Sequence, residues 1–165
     1  MSIGITFEEL LAWNDEAAGA WKTHLEANPA LLDVACDIGG AKNVQGLVRH
    51  IWGVELRWAQ RLAGLPVTNK EDVPMGPLEA LFHLHRRAIG IFRDLLAAPE
   101  PSWNETYRVE LDSIPEEHRS PSRRKVAAHA LLHSQRHWAQ MATLARQAGY
   151  ALPNRGDLLF SPALR

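Results

Sequence analysis

The stretch Val126-Ala127-Ala128-His129-Ala130-Leu131-Leu132-His133-Ser134-Gln135-Arg136-His137-Trp138-Ala139-Gln140-Met141 decides the fold. A step of about 100° per residue puts Val126, Ala130, Trp138, Met141 and, further on, Ala145 on one broad face. The pattern predicts a helix opened by Ser120-Pro121, with serine as cap and proline in the first turn. It runs to Ala148, where Gly149 closes it. An amphipathic rod of that length needs other elements to cover its apolar stripe.

Three more such rods precede it. Thr6-Phe7-Glu8-Glu9 fits a capping box, and Phe7, Leu10, Leu11, Ala17, Ala18, Trp21 and Leu25 follow helical spacing up to Asn28-Pro29. A short helical turn is predicted over Ala30 to Val34, and Gly39-Gly40 reads as a break. The second long helix spans about Asn43 to Ala63, with Val44, Leu47, Ile51, Val54, Trp58 and Leu62 on its apolar face. Gly64 and Pro66 stop it. After a breaker-rich loop from Pro66 to Gly76, Pro77 suits the first position of a third helix, which Pro99 and Pro101 end. Thr106 to Leu111 alternates enough for a short extended segment. The tail from Tyr150 to Arg165 is expected to pack as an extended strap. Long amphipathic helices without a strand-rich half predict an all-α fold, an antiparallel four-helix bundle, as one domain over residues 1–165.

Composition narrows the function classes. A formal net charge of −1 argues against nucleic acid as the main partner, because phosphate binding needs a basic face. No apolar run is long enough to span a bilayer and the start of the chain lacks a basic-then-apolar leader, so no membrane partner and a cytoplasmic location are expected. The single cysteine, Cys36, excludes an intrachain disulfide and reads as a semi-buried, inert thiol. Six tryptophans suit wide gaps between helices or pocket walls; Trp52, Trp58 and Trp138 are candidates for either.

The histidines carry the chemistry. His133 and His137 are four apart, so their imidazoles share a helix face and can share one ion. His50, at the margin of the second helix's apolar face, supplies a third ligand from a neighbouring rod. Three protein ligands with a vacant position describe an open rather than a closed metal site. His129 falls at the edge of the face, as an outer contact or rim. Glu55 lies with Ile51, Trp58 and Leu62, where a carboxylate is costly without a partner. It has two readings, a hydrogen bond to a metal-bound histidine or water, or a salt bridge to an arginine of another helix. His83 and His85, two apart, point in different directions, and His24 and His118 read as surface or loop residues. Ser134 stands where HExxH would have Glu, which disfavours a metalloprotease, and no GxSxG, P-loop or GxGxxG pattern is present.

Leu47-Val48-Arg49-His50-Ile51-Trp52-Gly53-Val54-Glu55-Leu56-Arg57-Trp58, followed by Leu62-Ala63-Gly64, resembles the second helix of the DinB/YfiT-like proteins. His129 through Gln140, running on to Leu144-Ala145-Arg146-Gln147-Ala148-Gly149, is similar to that family's closing helix; Trp13-Asn14 is a weaker echo. The resemblance implies a four-helix bundle holding a divalent metal on His50, His133 and His137, and it implies homodimers. It also implies thiol chemistry: characterised relatives transfer bacillithiol or mycothiol to electrophiles, or isomerise with mycothiol as cofactor. Trp138-Ala139 stands where the family often has Arg-Gly. The expected function is therefore a divalent-metal-binding protein, zinc or nickel first, acting as a metal-dependent thiol S-transferase. Its partners would be a low-molecular-weight thiol and a small-molecule electrophile, with Glu55 or His129 as base or orienter. The alternative is a non-catalytic metal-binding stress-response or sensor protein.

Overall fold

The computed structural model describes residues 4–98, 103–152 and 158–163. Helix α1 spans Phe7–Ala27 and opens on the expected capping box: Thr6 Oγ1 accepts from the Glu9 N–H at 3.2 Å, and the Thr6 N–H donates to Glu9 Oε2 at 2.7 Å. Asn28 caps its end, and a 3₁₀ turn follows at Pro29–Asp33.

Gly39-Gly40, expected only as a break, is the turn of a small hairpin. Strands β1 (Ala35–Ile38) and β2 (Ala41–Asn43) pair antiparallel across it, and φ is 60° and 79° at the two glycines. Both turn positions lie in the left-handed region, where a side chain is strained. Cys36 lies on β1, half-buried and free, and burial pushes its thiol pKa up, as an inert role requires.

Helix α2 (Val44–Leu62) starts directly from β2, its first turn capped by Asn43 Oδ1 accepting from the Gly46 N–H at 2.9 Å. Helix α3 spans Leu78–Ala97. Pro77 is its N-cap rather than its first helical residue, because ψ of 158° is extended while proline's fixed φ, here −60°, suits that position too. The expected stop at Pro99 and Pro101 lies outside the described residues. Helix α4 spans Arg123–Gln147 and is capped by Ser122, not Ser120. The preceding residues pair with the extended segment instead: the Tyr107 N–H donates to Pro121 O at 2.7 Å and the Val109 N–H to Arg119 O at 2.8 Å. Among the described residues that segment makes one bridge, Thr106 with Ser122. Of the expected strap, residues 158–160 form a 3₁₀ turn and Ser161 Oγ donates to Glu16 at 2.5 Å; residues 153–157 and 164–165 lie outside the described set.

The result is the antiparallel four-helix bundle, with a hairpin leading into α2. Trp138 stacks on Trp21, centroids 6.0 Å apart, and meets Trp52 edge-on at 5.8 Å, so three indoles from three helices fill the interior gap. Trp52 and Trp138 are thus core residues, and Trp58, also buried, lines a pocket as well. Among the described residues, no helix is long and apolar enough to cross a membrane.

Candidate metal centre

Two helices bring three imidazoles together. α2 contributes His50 and α4 contributes His133 and His137, one turn apart, and one nitrogen from each lies within 4.8 Å of the others. The ring centroids are 4.4 Å apart for His133–His137, 4.9 Å for His50–His137 and 5.2 Å for His50–His133. Nε2 of His133 and Nε2 of His137 face each other at 3.1 Å. Two nitrogens bound to one tetrahedral ion at about 2.0–2.1 Å are about 3.3 Å apart, so the pair is spaced for a shared cation. His137 is oriented for it: its Nδ1–H donates to Gln140 Oε1 at 2.7 Å, leaving the Nε2 lone pair toward His133. Nδ1 of His133 is buried with no hydrogen-bond partner.

The electrostatics suit ligation. Burial, then the other histidines and nearby Arg136, holds His133 down at about 3; burial, then His137, Arg57, Lys70 and Arg136, holds His50 at about 4. Burial also lowers His137, against the opposing hydrogen bond to Gln140. All three rings are therefore neutral near pH 7, the form that donates a lone pair. Three converging neutral imidazoles, one turned by an amide, fit a divalent ion.

The hairpin seats His50. A Cβ built on Gly39 would lie 3.2 Å from His50 Nε2, and φ of 60° at Gly39 disfavours any side chain there. The glycine lets the turn's backbone close over the ring.

The other expected site residues lie elsewhere. His129 is at the surface, edge-on to Trp58 at 5.6 Å and 5.8 Å from the His133 ring. It lines an apolar pocket of about 370 Å³ with Trp58, Val109, Ile114 and Val126. Glu55 is fully buried, and its hydrogen-bond partners are neither one of the three clustered histidines nor an arginine. Oε2 pairs with His85 Nδ1 at 2.6 Å, while Oε1 accepts from Asn14 Nδ2 and more distantly from Ser134 Oγ at 3.5 Å. His85 Nε2 meets Asp15 at 3.1 Å, and Arg93 closes the chain on Asp15 at 2.8 Å. Gln135 Nε2 donates to Asn14 Oδ1 at 3.3 Å, so all four helices join one polar network. Burial opposes charge on His85, but Glu55 and Asp15 outweigh it and push its pKa up to about 9. With a carboxylate at each ring nitrogen, His85 is an imidazolium donating twice. His83 and His118 are exposed and His24 is partly buried.

A family model described as the DinB family matches residues 1–161. The chain belongs to the DinB family. None of the curated proteins compared with it matches. Sequence reading left three features of this DinB family site without a role. Gln140 could have been found from its i+3 spacing to His137; His85 and Asn14 could not, because only the packed helices show which faces meet. Gln140→Leu is expected to weaken metal binding about 10- to 100-fold, as loss of an outer hydrogen bond to a ligand histidine does. Competition against a fluorescent chelator measures it.

Proposed function

We propose that this DinB family protein is a metal-dependent thiol S-transferase, acting on small electrophiles in the cytoplasm as a homodimer. The observation that carries the reading is the convergence of His50, His133 and His137 as three neutral donors from two helices. That number of ligands suits an open site, since structural zinc takes four protein ligands. A divalent ion there would lower the pKa of a coordinated thiol and present a thiolate at neutral pH.

The chain's residues do the rest. His133 and His137 form a rigid pair on one helix face, and Gln140 keeps the His137 proton on Nδ1. Gly39 holds the hairpin over His50. The His129 ring is accessible at the surface, yet packing of its base against neighbouring residues and then Arg136 lower its pKa, which favours the free base. It is the proton acceptor of the proposal, and the adjoining apolar pocket with Trp58 receives the electrophile's hydrocarbon body. The thiol proton leaves to His129, the S–C bond forms, and the electrophile's leaving group departs with its electron pair. Glu55 is a positioning residue, tying α2 to α1, α3 and α4 through Asn14, His85 and Ser134.

Metal-loaded protein incubated with bacillithiol or mycothiol and a panel of alkyl halides, aryl halides and epoxides tests the reading. A thioether adduct seen by mass spectrometry and abolished by chelator is expected. No adduct from any pair, with metal still bound, would refute the transferase and leave a non-catalytic metal-binding protein.

A further inference from the structure

A second cavity opens on the metal-ligand side of α2. It holds about 300 Å³ between the hairpin turn, α2 and the loop preceding α3, and His50 forms part of its wall. Its charged lining is of one sign: Lys42, Arg49, Arg57 and Lys70, with no carboxylate among its described lining residues. The four cations are not equivalent. Arg49 is structural, its guanidinium donating to Val73 O at 2.8 and 3.0 Å and to Lys70 O at 2.8 Å, which pins the loop onto α2. Lys42 faces exposed Asp37 at 3.7 Å at the mouth. Arg57 and Lys70 make no ion pair among the described residues. Arg57 Nε is buried without any acceptor, a guanidinium donor stripped of water and given nothing in return. The α2 N-terminus also opens here, through Asn43 and Gly46, with no acidic residue in its first turn. Glycines let the walls close up: Gly39 against His50, and Gly53 against the loop, where a Cβ would lie 3.2 Å from Val73.

We propose that this cleft binds the anionic group of the substrate, a carboxylate or a phosphate, with Arg57 and Lys70 as its ligands beside the His50 imidazole. The assignment rests on the reading of the triad as a metal centre and names the substrate class that centre takes. A dication on three neutral imidazoles next to Arg57 and Lys70, offset only by the single charge of nearby Glu71, leaves excess positive charge, which an anionic substrate neutralises. Arg57 supplies the planar donor fork suited to an oxyanion, and Lys70 supplies a mobile point charge from the loop.

The test is calorimetric titration of inorganic phosphate and of succinate, separately, into zinc-loaded and chelator-stripped protein. Saturable binding of one of the two is expected. Arg57→Gln should weaken it about tenfold, the worth of one charge-assisted hydrogen bond. Lys70→Gln, an exposed loop change that leaves the fold intact, should weaken it about threefold. Both variants should keep full zinc content, and Arg87→Gln, exposed on α3 away from both cavities, should bind as wild type. The proposal is overturned if neither anion binds saturably, or if both variants bind as wild type, as they would were the anion held by the metal alone. The metal reading is scored separately by zinc content: wild-type protein that takes no zinc yet binds the anion through Arg57 and Lys70 refutes the metal centre and upholds the cleft.

Discussion

The double variant His133→Ala, His137→Ala is expected to emerge from native purification without bound metal, with its helical circular dichroism unchanged. The two rings come from one face of α4 and supply the closest pair of donors, Nε2 to Nε2 at 3.1 Å. Without them His50 is a lone imidazole, and one neutral ligand does not retain a divalent ion. His133→Ala alone should remove most of the metal. The fold should survive, because the packing between α2 and α4 rests on Ile51, Trp52, Ala130, Trp138 and Met141, which these changes leave in place. Metal present at a thousandfold over its dissociation constant stabilises the native state by about 4 kcal/mol, or roughly 10 °C in a chain of this size. Chelator should therefore lower the wild-type Tm by about that much and leave the double variant's Tm where it was. Retention of stoichiometric metal by the double variant would refute the assignment.

Acid should act through the same residues. In the metal-free protein, His50 and His133 titrate at about 4 and about 3, below the ordinary histidine value of 6.5. The unfolded chain therefore binds protons first as pH falls. The stability tied to these neutral rings is full above 6.5 and is lost as pH drops toward 4 and 3. Removing the rings should flatten this part of the stability profile.

The second large effect lies away from the metal. Glu55→Ala is expected to cost about 3–5 kcal/mol, seen as a Tm lower by roughly 10 °C, since it strands a buried imidazolium with half its neutralising charge gone. Glu55 and His85 side chains are both fully buried, and Asp15, partly exposed, is the other carboxylate on the ring, shared with Arg93. Replacing both members, Glu55→Leu with His85→Leu, should cost much less than the two single changes summed, because no orphan charge remains. The pH signature has the opposite sign to that of the triad. The His85 pKa is raised to about 9, so its contribution is complete below 6.5 and disappears as pH rises through 9. Wild-type stability should fall over that alkaline window, and Glu55→Gln should reduce the fall. An unaltered alkaline slope in Glu55→Gln would show that the pair carries no charge.

The long elements of this fold were legible because helical spacing repeats over many residues and announces its ends. Thr6 with Glu9, and Gly64 and Gly149 in left-handed conformation, mark boundaries that sequence chemistry dictates. The hairpin was not legible: strands of four and three residues with an irregular register are too short for alternation to show. Ser120 and Ser122 compete as caps one proline apart, and the choice between them is made by Tyr107, which claims the Pro121 carbonyl. The triad was readable from i, i+4 spacing on α4 and the inward margin of α2. The Glu55 partner was not, because His85 becomes its neighbour only when α3 packs against α2. The basic cleft was equally hidden, since Lys42, Arg57 and Lys70 come from a strand, a helix and a loop and meet only in three dimensions.

The most direct test is the anomalous scattering of crystals grown with equimolar zinc. One peak within about 2.0–2.1 Å of one nitrogen each of His50, His133 and His137 is the expected result. Density showing His133 and His137 still bonded to each other with no peak between them, or zinc held by one of the three rings alone, would contradict the account.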